Sequence, residues 1–521
     1  VTPKRKAILL SLAGGVTFAL AAPPTDLYLA VLLGLASLFV AVQLTTSLRQ
    51  AALMGCLWAT AAGVVGMRFV PSVIIRFTPL GWWGGLAALI LLSLFQSATW
   101  AAGMTLSRAL ERYTGLDARI AFATGTLLAI SFTFVIAWTP AGLMSPWPAL
   151  LQLADVIGER GVSFVLAAAV ALVASPLVGR LAPERTIPDR RAWLAPAIGT
   201  GVFALLLVHG AIRMGQVKER HATLPTVKMG LVQAAVEARL RWEPSARHQI
   251  LMRLRRGTIE SERGGAELTI WPEAAYPYMQ SHRATRMPSG ARSVVSGAIR
   301  GPVLFGLITT SVENEENRYN ATTLIDRQQM LQPPQAKLEL LWFGETVPLG
   351  EHLPFLRRIF QRAGGLIPGT EVRLLTSGAA KMGVLNCYED TLPGVGRRIA
   401  KAEPNLLVNV TNDAWFGPTA EPELHLRLSA LRSIETRLDL VRAVNLGVPA
   451  WIDAAGSIRA RGSADKESVL FVSPALNDMS PTFYVKAGDI PLLFGILIAV
   501  ADAFYRRRRA SRRPAITEPG P

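Results

Sequence analysis

Seven apolar runs, each close to the length that crosses a lipid bilayer, fill the first 215 residues, and an eighth follows near residue 490. The hydrocarbon core of a bilayer takes about 20 apolar residues in a helix. The runs fall at roughly 7–23, 27–44, 51–74, 81–105, 119–138, 160–180, 193–213 and 489–505. They are nearly free of ionisable groups, with Arg68 the main exception. A chain patterned in this way is predicted to form an α-helical membrane bundle of eight transmembrane helices. Such spans are poorly equipped as an ion or proton path.

Charge supports the same class. The formal net charge is +17, yet only 17% of residues are charged and half are apolar. Membrane proteins keep Lys and Arg at their cytoplasmic ends, so this balance points to a membrane protein and not to a nucleic-acid partner. Lys4, Arg5 and Lys6 precede the first run as in a secretory signal. A second apolar run follows at once, however, and Ala21-Ala22-Pro23-Pro24 makes a poor cleavage site, so the first run reads as a span.

With the N-terminus in the cytoplasm, the cytoplasmic connections hold Arg49, then Arg108, Arg112 and Arg119, then Arg180, Arg185, Arg190 and Arg191. The tail adds Arg506 to Arg509, Arg512 and Arg513, whereas the opposite short loops hold little beyond Arg76 and Arg160. This asymmetry places residues 214–488 on the outer face, and both termini inside. The arginine run after the last span reads as a stop-transfer and anionic-lipid anchor. The predicted division is a seven-helix membrane domain over 1–215, an outer domain over 216–480, and an eighth helix with a basic tail over 481–521.

Between about 225 and 475 the pattern changes. Short apolar runs of strand length alternate with polar helical stretches. Candidate strands are 226–234, 266–273, 302–309, 320–326, 381–387, 405–412, 448–454 and 468–474, and candidate helices are 245–263 and 421–443. That alternation predicts an α/β domain with layered sheets. Three candidate strands or turns end on groups able to do chemistry: Glu273 after AELTIWP, Lys337 within QPPQAKLELLWFGE, and Cys387 after KMGVLN. Each alone is ordinary: a surface carboxylate, a loop lysine, a core cysteine. Together they fit one chemistry. A thiol is a weak nucleophile until deprotonated. A carboxylate can take the proton, and an ammonium can favour the thiolate and a developing oxyanion.

Only two cysteines occur, and Cys56 lies within an apolar run, so a disulfide framework is not expected. His221, His248, His282, His352 and His425 are scattered without paired spacing, which argues against a Cys-His hydrolase and against a zinc site. Neither a glycine-rich phosphate loop nor a G-x-S-x-G elbow is present. No cofactor and no metal are expected.

The stretches WPEAAYPYM, KLELLWFGETVPL and GVLNCYED are similar to the catalytic blocks of the nitrilase (carbon-nitrogen hydrolase) superfamily, and NVTNDAWFG with the segment 430–456 fits the same fold. The order of seven spans, such a domain and one closing span resembles the apolipoprotein N-acyltransferase family. The resemblance implies a nitrilase-like α-β-β-α sandwich outside the membrane, with Glu273 as general base, Lys337 as oxyanion partner and Cys387 as nucleophile. It implies that Glu345 supports them, that Tyr388 and Glu389 wall the site, and that Trp242 and Trp415 shape an acyl and headgroup pocket; ordinary core aromatics are the competing reading for both tryptophans. It also implies an acyl thioester on Cys387, a phospholipid donor, a diacylated lipoprotein acceptor, and a monomer in the inner membrane with its active domain in the periplasm.

The segment 352–368 mixes Leu, Phe and Ile with arginines and reads as an amphipathic loop in the membrane interface. Two departures touch the lysine block: Gln335 stands where relatives often carry Tyr, and Trp342 replaces a proline. Pro146-Trp147 after Ser145 is likewise a reduced form of a Phe-Pro-Trp stretch common in the membrane part of relatives. They leave room for a paralogous acyltransferase with another amine acceptor. A membrane-tethered amidase or nitrilase that hydrolyses C–N bonds, and a non-catalytic scaffold, compete with the acyltransferase reading.

Overall fold

The structure, a computed structural model, describes residues 2–132, 138–183, 192–312, 314, 316–350, 352–360 and 365–511. Arg185, Arg190, Arg191, Arg512 and Arg513, which contribute to the charge asymmetry, lie outside the described residues.

Each of the eight apolar runs contains a helix: Pro3–Ala19, Ala30–Gln43, Leu48–Gly66, Gly81–Ala109, Ala118–Ser131, Ala154–Leu181, Leu194–His221 and Ile490–Ser511. Among the described residues, four are long and apolar enough to cross a membrane: 48–66, 81–114, 154–181 and 194–221. The expectation of eight spans is therefore met only in part. Ala30–Gln43 and Ala118–Ser131 have 14 residues each. At 1.5 Å per residue they fall short of a hydrocarbon core of about 30 Å. The run expected over 51–74 breaks at Gly66, and a separate short helix, Val70–Phe77, starts with Pro71 in its first turn. Proline fits there because its missing N–H has no intrahelical partner to lose. Leu194–His221 continues past the boundary expected at residue 215.

The remaining chain builds two stacked sheets. One runs, in spatial order, Ser468–Val472, Met229–Gln233, Leu268–Ile270, Val303–Thr310, Arg318–Ile325 and Gln335–Ala336, with Gln280–Ser281 paired to Val303–Thr310. The other runs Ile458–Arg461, Ala450–Ile452, Leu440–Val444, Leu406–Thr411, Ala380–Asn386 and Leu375–Ser377. Parallel pairs occupy the middle of each sheet. Met229, Leu231, Ile270, Leu304, Val384 and Val408 are buried between the sheets. Helix Arg247–Arg263 covers the outer face of the first sheet, and helices Pro393–Ala400 and Glu421–Thr436 cover that of the second. The result is an α-β-β-α sandwich. Strands buried on both faces read as continuous apolar runs, which is why they were legible in sequence.

One expected element is corrected. The helix foreseen over 421–443 stops at Thr436. Arg437 is left-handed (φ +58°), and Leu440–Val444 forms a parallel strand beside Leu406–Thr411. Leu-Val-Arg-Ala-Val fits either period, so periodicity alone could not separate the two.

The sandwich and the bundle share a core. Leu424, Leu428 and Leu431 are buried in one cluster with Leu143, Met144 and Leu150. Gly158 interrupts helix Ala154–Leu181 at φ +69°, and a Cβ there would stand 2.3 Å from the Tyr484 ring. That break aims Glu159 at the sandwich. Its carboxylate accepts from Arg432 Nη2 at 2.5 Å and from the Thr139 hydroxyl. Its backbone N–H donates to Glu435 Oε1 at 2.8 Å. Asp155 meets Arg437 at 2.9 Å, and Asp26 takes both Nη atoms of Arg427 at 2.7 and 3.1 Å. Buried ions lose much of their pairing energy to desolvation, so their main effect is to fix the register of the two parts.

Candidate active site

Glu273 reaches its position because the strand Leu268–Ile270 is broken by Pro272, which has no N–H for the ladder. The departing chain crosses Val303–Thr310 at Gly306, whose N–H donates to Pro272 O at 3.2 Å. A Cβ on Gly306 would lie 2.3 Å from Ala274 N and 2.7 Å from Glu273 Cα. Only glycine admits so close an approach. Gly306→Ala is expected to lower stability by about 1–3 kcal/mol through overpacking. It is also expected to cut activity on the order of 100-fold by displacing Glu273. Thermal unfolding and a turnover assay on the same sample check both effects.

Lys337 follows the edge strand Gln335–Ala336 and is fully buried. Its Nζ lies 3.2 Å from Glu273 Oε1 and 2.8 Å from Glu345 Oε2. Asn320, on strand Arg318–Ile325, bridges the two carboxylates: Nδ2 donates to Glu273 Oε1 at 2.7 Å and to Glu345 Oε1 at 2.8 Å. Burial works against the charge on Lys337, but Glu273, Glu345 and the thiol outweigh it and hold the amine well above the ordinary lysine range. The ammonium therefore persists at neutral pH.

Cys387 directly follows strand Ala380–Asn386 and opens a 3-10 turn that runs to Thr391. Its φ is +54°, a left-handed conformation that costs a non-glycine residue roughly 1–2 kcal/mol. The surroundings enforce it. Asn409 Nδ2 donates to Cys387 O at 2.8 Å, and the Thr322 hydroxyl donates to Asn386 Oδ1 at 2.7 Å. Glu389 closes a capping box with Asn386, accepting from its N–H at 2.7 Å. The same carboxylate accepts from the backbone N–H groups of Leu338 and Glu339 at 2.6 and 3.0 Å. Glu389 thus staples the cysteine turn to the lysine loop. Burial pushes it up to about 7, against the pull of Lys337 and these donors.

Burial, and then the Glu273 charge, push the Cys387 thiol up to about 12, while Lys337 and His425 pull it down. The thiol is thus held toward its protonated form, within electrostatic reach of the Glu273 carboxylate and the Lys337 ammonium. The Lys337 ammonium also lies 5.4 Å from the centre of the Tyr388 ring, within cation–π range.

The other expected residues are placed unevenly. Glu345 sits on Lys337. Trp415 stacks 4.7 Å from Phe77, and its neighbour Phe416 meets Phe69 edge-on at 5.6 Å, so this turn docks on the short helix Val70–Phe77. The side chain of Trp242 lies outside the described residues, as do residues 361–364 of the expected interfacial loop. In that loop Leu353 and Phe355 are exposed. Trp342 and Phe343, next to the lysine block, are also well exposed.

Sequence reasoning passed over Asn320, Asn409, His425 and Arg442. The signal was present for the asparagines. An Asn inside a strand of otherwise buried residues is costly unless hydrogen-bonded, and YNATTLI (Asn320) and LLVNV (Asn409) each hold one. His425 was set aside for lack of a paired histidine. Asp413, Glu421 and His425 offer ligand atoms within 4.8 Å of one another. Both His425 ring nitrogens, however, are spent on carboxylates, Asp413 Oδ1 and Asp390 Oδ1, each at 2.9 Å. The ring is thus the centre of a buried hydrogen-bonded cluster with Asp390 and Asp413.

Comparison with known proteins agrees with this anatomy. Residues 228–484 match the carbon-nitrogen hydrolase family, and residues 14–172 match the apolipoprotein N-acyltransferase N-terminal domain. The apolipoprotein N-acyltransferase of Bradyrhizobium diazoefficiens is 32% identical over 402 residues, 72% of this chain and 70% of its own. That of Geobacter metallireducens is 30% identical over 69% of this chain and 68% of its own. That of Methylococcus capsulatus is 29% identical over 99% of each. The chain belongs to the apolipoprotein N-acyltransferase family, within the carbon-nitrogen hydrolase superfamily.

Proposed function

We propose that this protein moves an acyl chain from a phospholipid to the N-terminal amine of a diacylglyceryl-cysteine apolipoprotein, through a thioester on Cys387. The observation that carries the reading is the buried Glu273–Lys337 pair, held beside a strained cysteine in a chain with membrane helices. Glu273 takes the proton from Sγ as sulfur attacks the ester carbonyl carbon. Lys337 stabilises the oxyanion. The C–O bond to glycerol breaks, and the proton passes from Glu273 to the departing oxygen. The lipoprotein amine then attacks the thioester, and Cys387 regains its proton. Dividing the transfer this way avoids direct attack of an amine on an unactivated ester.

The eight apolar helices serve as spans in this reading, with residues 216–480 on the periplasmic face and both termini in the cytoplasm. Trp415, Tyr388 and the exposed apolar side chains Trp342, Phe343, Leu349, Leu353 and Phe355 form the lipid-facing wall. The protein acts as a monomer, without cofactor or metal.

Incubation with phospholipid alone, followed by intact-protein mass spectrometry, tests the first half. A mass gain equal to one fatty acyl group on Cys387, discharged by a diacylated lipopeptide, is the expected result. Glu273→Gln is expected to slow adduct formation by about 100- to 10,000-fold, the usual worth of a general base. A wild-type adduct rate in that variant removes Glu273 from the proposed role. An adduct that only water discharges favours an amidase-like hydrolase instead.

A further inference from the structure

Through the turn that carries Cys387 runs a chain of buried charges that the acyl-transfer reading does not use. Asp390 lies in the same 3-10 turn as Cys387 and is fully buried. One of its oxygens is held by Arg442 Nη1, from strand Leu440–Val444. The other meets His425 Nε2 at 2.9 Å, from helix Glu421–Thr436. His425 Nδ1 meets Asp413 Oδ1 at 2.9 Å, in the turn after strand Leu406–Thr411.

A carboxylate only accepts hydrogen bonds. A ring with a carboxylate on each nitrogen must therefore donate from both and carry a full positive charge. Burial opposes that charge, but Asp413 and Glu421 outweigh it and raise the ring to about 10. The helix that supplies His425 is also the one anchored to the membrane bundle through Arg432 and Glu159.

We propose that His425 is a positioning residue for acyl transfer: clamped as an imidazolium between Asp390 and Asp413, it holds the Cys387 turn in its left-handed form and keeps a positive charge within electrostatic reach of the sulfur as the proton leaves. The inference rests on the acyl-transfer reading only for its biological purpose, since its effect on the thiol is measurable without lipid. The charged groups facing the thiol are Glu273, Lys337, His425, Asp413, Arg442 and Arg241. Those facing His425 are Asp390, Asp413, Glu421 and the thiol itself. Among these, His425 is the cation that joins the cysteine turn to the docked helix.

The test uses the full chain in detergent without phospholipid. The rate of iodoacetamide alkylation at Cys387 is followed by peptide mass across pH. His425→Gln keeps a donor amide in place but removes the charge. Its alkylation profile is expected to move up by about one pH unit, with a roughly tenfold lower rate near neutrality. Arg442→Lys, which conserves charge, is expected to keep the wild-type profile. An unmoved profile in His425→Gln, with only a lowered unfolding temperature, overturns the proposal and leaves the ring a packing element. Should that variant not fold, nitrogen NMR of the wild-type histidine decides: an imidazolium signal persisting above pH ~8 is expected, and a neutral tautomer there refutes it. A thiol that alkylates as expected but takes no acyl group from phospholipid leaves this inference standing and counts against the acyl-transfer reading alone.

Discussion

Cys387→Ala is expected to leave a folded protein that forms no acyl adduct and transfers nothing to a lipopeptide acceptor. The turn is held by groups other than the sulfur: the Asn409 amide on the Cys387 carbonyl, the Asn386–Glu389 capping box, and the grip of Arg442 and His425 on Asp390. Alanine at φ +54° carries about the same backbone strain as cysteine, so the loss of stability should stay near 1 kcal/mol or below. The loss of activity should be on the order of 10⁴-fold or more, as when a nucleophile is removed from a unit whose members act together. Lipopeptide triacylation read by mass, beside circular dichroism on the same preparation, separates the two. Triacylation at the wild-type rate would falsify the thioester route outright.

Lys337→Ala should fail differently. Removing the buried ammonium leaves the Glu273 and Glu345 carboxylates facing each other across the Asn320 amide, without the ion pairs that Lys337 made to both and with the buried Arg241 guanidinium as a more distant counter-charge. Breaking a buried pair in this way costs roughly 3–5 kcal/mol. Two carboxylates so close disfavour each other's charge, so the base is weakened along with the loss of the oxyanion partner. Adduct formation is expected to fall on the order of 1,000-fold or more, and the unfolding temperature to drop. A second variant divides these effects. Lys337→Met combined with Glu345→Gln relieves the repulsion, and is expected to recover most of the lost stability while staying inactive. Recovery of the adduct in that double variant would show that Lys337 only neutralises charge.

The sandwich was legible because its strands are buried on both faces and so appear as uninterrupted apolar runs. Glu273 and Cys387 stood out because each closes a predicted strand, where a rigid sheet presents a loop, whereas Lys337 lay in a predicted loop and stood out through the resemblance of its block to the superfamily. The helix end at Thr436 was not, because Leu440–Val444 fits a helix as well as a strand. Its choice depends on a neighbour, Leu406–Thr411, that is remote in sequence. His425 was missed for the same kind of reason. Its partners Asp390 and Asp413 come from two other turns, and no local spacing records their meeting.

By itself, then, the sequence determined that this chain carries apolar helices of membrane-spanning length, that an α/β domain follows them, and that Glu273 and Cys387 stand just past strands. Those properties follow from local composition and from periods of two or three to four residues, which are written along the chain. Only the tertiary structure decided how far each apolar run stays helical, that Lys337 lies between two carboxylates, and that Cys387 is buried and left-handed. Those properties arise from desolvation and from charges brought together by the fold from different strands and loops, and neither exists until the chain has folded.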